Sequence, residues 1–217
     1  MKNNLLIFFK TFLISLILIS CSENNKLENV NKILLFGDSL MSGYGLKENQ
    51  ALSIILENDL KETGYNIRVI NGSVSGDTSE DGLYRIEEYT SGGDIDLIVL
   101  GLGANDMLRR INPDQTENNL RKIIEIIKTN NINIILAGMK ASPTNGLAFK
   151  KKFDYIFPKL AEEYDLTLIP FLLKKVALNP KLNQSDGIHP NYEGAKVISK
   201  TIKESIINLE WKNLICI

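Results

Sequence analysis

The sequence predicts a three-layer α/β/α sandwich around a central parallel sheet of about five strands. Short unbroken apolar runs alternate with segments of helical spacing, and turn-forming clusters rich in Gly, Asp, Ser and Asn follow the first three runs. Unbroken apolar strands belong to parallel sheets covered on both faces, because neither face meets water. The alternation of the two periods then puts helices on those faces.

The elements follow in order. Residues 33–36, Ile-Leu-Leu-Phe, form the first apolar run. Residues 52–63 carry helical spacing, 67–70 read as a strand, and 78–90 are helical again. The run at 97–100 precedes a helix at 114–130 whose Leu120, Ile123, Ile124 and Ile127 fall on one face. The run at 132–137, a helix at 148–164, a short run at 167–169 and a last helix at 192–209 complete the domain. Pro190 suits the first turn of that last helix.

The residues before this domain read as targeting sequence. Lys2 and Lys10 flank and interrupt an apolar stretch, Leu5 to Phe9 and Phe12 to Ile19, which ends in Leu18-Ile19-Ser20-Cys21. A positive start, a short apolar region and small residues at the cut describe a signal peptide over 1–20. The last four residues resemble a bacterial lipobox, which makes Cys21 the lipidated first residue of an exported, membrane-anchored protein. That protein would face the periplasm or the exterior, and Ser22 at the next position favours the outer membrane in a Gram-negative host. An ordinary secretory signal or an uncleaved anchor is the alternative. Residues 21–31 are largely polar and read as a tether, leaving the domain at 32–217.

Composition narrows the function. The formal charge of −1 becomes −3 once Lys2 and Lys10 leave, and without basic clusters there is no electrostatic case for nucleic acid. With one His and only Cys21 and Cys216, both near the ends, no zinc site of the usual His/Cys type can be built, so the expected chemistry uses no metal and no cofactor. If Cys21 is acylated, Cys216 has no disulfide partner; a bridge between the termini is the alternative. The sequence does not fix the oligomeric state.

In open parallel sheets the ligand crevice lies beyond the carboxyl ends of the strands. Three motifs sit at such ends: Gly37-Asp38-Ser39-Leu40 after the first, Asn71-Gly72-Ser73-Val74-Ser75-Gly76-Asp77 after the second, and Gly101-Leu102-Gly103-Ala104-Asn105-Asp106 after the third. Each alone can be a turn and helix cap, with Ser39, Asp77 or Thr78 as the capping residue. The single histidine, His189, follows Asp186 by three residues in Ser185-Asp186-Gly187-Ile188-His189-Pro190. A carboxylate there can accept from Nδ1 and leave Nε2 free as a base, as Ser-His-Asp hydrolysis requires. Any neutral-pH acid–base chemistry by an unperturbed side chain falls to His189.

Together these motifs resemble the SGNH (GDSL) hydrolases, in the bacterial group of thioesterases, lysophospholipases and arylesterases that includes TesA-like esterases. The likeness runs from about residue 32 to 207, through Phe-Gly-Asp-Ser-Leu-Met-Ser-Gly-Tyr-Gly-Leu at 36–46, Asn-Gly-Ser-Val-Ser-Gly-Asp-Thr-Ser at 71–79, Gly-Ala-Asn-Asp at 103–106, Pro-Lys-Leu-Ala at 158–161 and Asp-Gly-Ile-His-Pro-Asn at 186–191. The resemblance implies the flavodoxin-like fold of that family, with Ser39 as nucleophile, His189 as base and then acid, and Asp186 as its orienting carboxylate. It implies an oxyanion hole from the backbone N–H of Ser39, the backbone N–H of Gly76 and the side-chain amide of Asn105. Asp38 is the neighbour expected to hold that amide in orientation.

The implied substrate is a small-molecule ester or lipid: aryl and alkyl esters, thioesters and lysophospholipids. The loop from Met139 to Leu147 is expected to overhang the crevice, with Leu108, Ile111, Leu147, Phe149 and Leu172 as candidates for an acyl channel. The sequence departs from the family at Met41-Ser42, where a small polar pair is common, and at Ala51-Leu52-Ser53, where many members place an aromatic and a proline; both departures are expected to alter the acyl pocket. Two alternatives stand beside the esterase. One is a carbohydrate O-deacetylase of the same fold, with Tyr44 and Tyr192 as rim aromatics and Trp211 outside the site. The other is a non-catalytic lipoprotein on a degenerate hydrolase fold.

Overall fold

The structure, a computed structural model, describes Leu27 and residues 30–209. The expected signal peptide at 1–20, the expected lipidation site Cys21, Trp211 and Cys216 lie outside the described residues. Five parallel strands form one sheet in the order β2-β1-β3-β4-β5. They are β1 (Lys32–Gly37), β2 (Arg68–Asn71), β3 (Leu97–Gly101), β4 (Asn133–Ala137) and β5 (Thr167–Ile169). The central strands β1, β3 and β4 are buried almost end to end, whereas the edge strand β2 alternates with solvent. That difference follows from helices covering both faces of the middle of the sheet.

The helices are α1 (Ser39–Ser42), α2 (Leu52–Glu62), α3 (Ser79–Thr90), α4 (Ala104–Leu108), α5 (Pro113–Thr129), α6 (Leu147–Tyr164) and α7 (Tyr192–Ile207). Helix α2 packs on α7, while α3, α5 and α6 pack side by side in that order. The stripe Leu120, Ile123, Ile124 and Ile127 is fully buried, as its spacing predicts. Phe36, Phe153 and Phe157 are the largest fully buried side chains. Leu27 and Val30, within the segment read as a tether, are buried with this core.

Local chemistry sets the helix starts. In α3, Thr78 accepts from the Asp81 N–H while Asp81 accepts from the Thr78 N–H at 2.9 Å, a reciprocal capping box. In α5, Asn112 caps and Pro113 occupies the first turn, where its missing N–H costs nothing. Helix α7 departs from expectation. Its cap is Asn191, which accepts from the Gly194 N–H at 3.0 Å, so Pro190 lies ahead of the cap and not in the first turn. Pro190 instead bridges to Asn183, and Gly194 lets the helix start press on the chain, since a Cβ there would lie 2.1 Å from the Leu182 carbonyl oxygen.

The sheet order reverses direction between β1 and β3: the chain leaves β1 for β2 on one side and crosses back to β3 on the other. In such sheets the crevice opens beyond the carboxyl ends of the strands beside this reversal. The loops after β1, β2 and β3 therefore meet there.

Candidate active site

Ser39 is the first residue of the one-turn helix α1, immediately beyond β1. The cap is Asp38, not Ser39: Asp38 Oδ1 accepts from the Leu40 N–H at 3.0 Å, which leaves the Ser39 hydroxyl free for other work. As the first N–H of a helix, that of Ser39 has no intrahelical acceptor. The turn is tight because Met41, fully buried, presses its sulfur against the ends of β1 and β3. A Cβ at Gly37 or Gly101 would lie 2.6 or 2.2 Å from that sulfur. The expectation that Met41 lines an acyl pocket is therefore corrected: it packs under the nucleophile turn. Leu52 and Ser53, from the second family departure, are buried as well.

His189 faces Ser39 from the other end of the chain. Its Nε2 lies 3.0 Å from Ser39 Oγ, and its Nδ1 lies 2.7 Å from Asp186 Oδ2. Asp186 Oδ1 accepts from the backbone N–H groups of Ile188 at 2.9 Å and His189 at 3.0 Å, so the carboxylate is locked by its own loop. The His189 N–H, then the His189 ring, then the Ile188 N–H hold the Asp186 carboxyl down at about 2. Each stabilises the ionised form, so Asp186 stays an acceptor across the neutral range.

A second set of contacts holds the imidazole in place. The Tyr44 ring lies against it, with centroids 4.5 Å apart and planes tilted by 40°. Gln184 Nε2 donates to the Tyr44 carbonyl at 2.7 Å and to the Pro190 carbonyl at 3.0 Å, tying the loop after α1 to the histidine loop. Gly45 makes room for that amide: its φ is +72°, and a Cβ would lie 2.2 Å from Gln184 Oε1. Sequence reasoning missed Gln184, although its place two residues before Asp186 was a signal.

The loop after β2 brings Gly76 to the same place. Ser75 Oγ and Ser42 Oγ are 3.0 Å apart, Asn71 Nδ2 donates to the Ser42 carbonyl at 3.0 Å, and the Val74 N–H donates to the Gly37 carbonyl at 3.0 Å. Gly76 takes φ +92°, a left-handed conformation that a side chain would strain. Arg109 Nη2 donates to the Gly76 carbonyl at 2.8 Å.

Asn105 lies in α4, beyond β3. Its Nδ2 donates to the Asp77 carbonyl at 2.9 Å, which fixes the amide with nitrogen toward the β2 loop and leaves one N–H to donate. Asp77, through its main chain, does what was expected of Asp38. The next residue, Asp106, is fully buried and accepts from the Ser79 N–H at 2.8 Å, the Ser79 hydroxyl at 2.5 Å and the Thr116 hydroxyl at 3.0 Å. It joins α3, α4 and α5 beneath the crevice.

Asp38 is fully buried, and its Oδ2 makes no hydrogen bond. Burial pushes its pKa up to about 7, against the pull of the Leu40 N–H, with the Asp106 and Asp77 carboxylates adding to the push. Between about pH 4 and pH 7 the unfolded chain then carries fewer protons than the folded one, so stability falls as pH rises through that window. Asp38→Asn keeps the acceptor for Leu40 and removes the buried charge. Urea unfolding should give the variant a flatter pH profile, with a relative gain at pH 8 on the order of 4 kcal/mol; parallel profiles would refute this reading of Asp38.

The expected acyl channel is only partly present. Leu108 and Leu147 are exposed, Ile111 and Phe149 are half-buried, and Leu172 is fully buried core and cannot line a channel. The loop after β4 is anchored: Asn145 Nδ2 donates to the Met107 carbonyl at 3.0 Å, and Arg110 Nη2 to the Thr144 carbonyl at 3.2 Å. Met139 and Ala141, at its start, are buried.

Comparison with known proteins bears on the family and the fold. Residues 35–197 match the GDSL-like Lipase/Acylhydrolase family. An arylesterase of Vibrio mimicus is 34% identical over 195 residues, covering 90% of this chain and 97% of that protein. Thioesterase 1/protease 1/lysophospholipase L1 of Escherichia coli (strain K12) is 36% identical over 167 residues, 77% of this chain and 79% of that protein. Among solved structures, that of TesA superposes with a TM-score of 0.77 at 30% identity, covering 81% of this chain and 98% of that one. AlinE4, an SGNH-hydrolase family esterase, gives 0.70 at 39% identity, with 82% and 95% covered.

Proposed function

This chain belongs to the GDSL-like lipase/acylhydrolase family and is a carboxylic ester hydrolase, and from that premise we propose that it works through a Ser39-His189-Asp186 triad and an acyl-enzyme. The observation that carries the proposal is the unbroken relay from Ser39 Oγ to His189 Nε2 at 3.0 Å and from His189 Nδ1 to Asp186 Oδ2 at 2.7 Å.

Ser39 Oγ attacks the ester carbonyl carbon while its proton passes to His189 Nε2. The carbonyl oxygen becomes an oxyanion, which the N–H groups of Ser39 and Gly76 and the remaining amide N–H of Asn105 stabilise; one such donor is typically worth about 3 kcal/mol. Collapse breaks the bond to the alcohol or thiol, which leaves with the proton from Nε2. Water then attacks the acyl-enzyme, giving a proton to Nε2, and the second collapse releases the acid and returns that proton to Ser39. Asp186 stays ionised throughout and stabilises the imidazolium.

The proposed substrates are small aryl and alkyl esters and lysophospholipids. Purified enzyme assayed against p-nitrophenyl esters of graded chain length, a lysophospholipid, an acyl-CoA and acetylated sugars should turn over the first two classes best. Preference for acetylated sugars would move the assignment to the deacetylase. No turnover of any ester would favour the non-catalytic alternative.

The proposed location is the periplasmic or exterior side of a membrane, with the protein anchored through lipid on Cys21, and it is supported by the Leu18-Ile19-Ser20-Cys21 pattern. The mature protein should carry a mass consistent with cleavage before Cys21 and acylation, and Cys21→Ala should release it from membranes with catalysis unchanged. An unmodified Cys21 in membrane-derived protein would refute the anchor.

A further inference from the structure

We propose that Arg85, on the inner side of α3, is a positioning residue that sets the geometry of the whole oxyanion hole. The inference rests on the esterase reading above. Arg85 is largely buried, with its side chain 16% exposed, and each guanidinium nitrogen is engaged. Nε donates to Asp77 Oδ2 at 2.5 Å, Nη1 donates to the Gly72 carbonyl, and Nη2 donates to the Gly37 carbonyl at 3.1 Å. The guanidinium carbon sits 4.0 Å from the centre of the Phe36 ring.

Those acceptors occupy three strategic places. Gly37 ends β1, two residues before Ser39. Gly72 follows the end of β2 and begins the loop that carries Gly76. Asp77 follows Gly76 directly, and its carbonyl accepts from Asn105 Nδ2 at 2.9 Å. One planar fork therefore reaches, directly or through one residue, all three segments that supply oxyanion donors. Donors lower a barrier only when they stand in position before charge develops.

A lysine could not replace it, because an ammonium is a point donor and these acceptors need a rigid fork. Arg85 makes no case as a catalytic residue. Its charge is matched by Asp77, and its nitrogens are spent on protein acceptors. Nor is it the main support of α3, whose fully buried Ile86, capping box and Ser79–Asp106 bonds hold the helix independently.

The test compares Arg85→Met, Arg85→Lys and Asp77→Asn with wild type on one p-nitrophenyl ester, with melting temperature measured alongside. Turnover by wild type and its loss in Ser39→Ala establish the esterase reading first, so failure of that reading is seen separately. Arg85→Met should lower kcat about 10- to 100-fold with KM within about threefold, since the lost interactions act on the transition state. Arg85→Lys should recover little of the loss. The inhibition constant of an alkyl boronic acid, whose tetrahedral adduct on Ser39 occupies the hole, should rise in proportion to the fall in kcat/KM. In an Asn105→Ala background, Arg85→Met should cost less than it does alone.

Wild-type kcat in Arg85→Met, a loss confined to KM, or fully multiplicative losses in the double variant would overturn the proposal. If Arg85→Met does not fold, the same readouts on Arg85→Lys and Asp77→Asn decide it.

Discussion

Ser39→Ala should lower kcat on a p-nitrophenyl ester by about 10⁴-fold or more while leaving the melting temperature within a few degrees of wild type. The size follows from the loss of the hydroxyl oxygen, 3.0 Å from His189 Nε2, that forms the acyl-enzyme. The folded state should survive because α1 is capped by Asp38 and pinned by the buried Met41, neither of which uses the serine hydroxyl. His189→Ala in the same protein should add little further loss, since nucleophile and base act as one unit. Wild-type-like turnover by pure Ser39→Ala would remove the assignment of this site.

His189→Ala alone should match that loss, and Asp186→Asn should be the milder of the two. An asparagine there can still accept from the Ile188 and His189 N–H groups, so the loop keeps its shape. The ring loses the carboxylate that fixes its tautomer and stabilises its charge, so kcat should fall by about 10²- to 10⁴-fold. Asp186 is held at about 2, so it remains ionised across the neutral range and its own protonation should not shape kcat/KM there. Because His189 is the sole histidine, inactivation by diethyl pyrocarbonate should track a single modified ring, and a substrate-like ester should protect it. Full activity with His189 fully modified would contradict the base assignment.

Much of this was legible in the sequence because it rests on local pattern. The apolar runs locate all five strands within a residue or two, and motifs at strand ends foretell which loops meet. Asp186 and His189 are three residues apart, so their pairing is a property of one turn. What was not legible depends on contacts between distant segments. Arg85 is one basic residue on an amphipathic helix, and nothing local says that its fork reaches Gly37, Gly72 and Asp77. Asp38 was expected to hold Asn105 as a neighbouring side-chain acceptor, whereas the amide is held by the Asp77 main-chain carbonyl from another loop, which side-chain chemistry cannot reveal. Met41 and Leu172 read as pocket residues because apolar side chains near a crevice and under it look alike in sequence. The short helices α1 and α4 escaped periodicity because neither spans two turns.

The central claim is that Ser39 is the nucleophile of a single acyl-transfer site, and stoichiometric phosphonylation tests it most directly. Incubation with an activated p-nitrophenyl alkylphosphonate, followed by intact-mass measurement and peptide mapping, should give one adduct per chain on Ser39. Activity should fall in proportion to adduct formed, and His189→Ala should slow labelling by orders of magnitude. An adduct on another residue that abolishes activity, or full activity in enzyme completely modified at Ser39, would contradict the account.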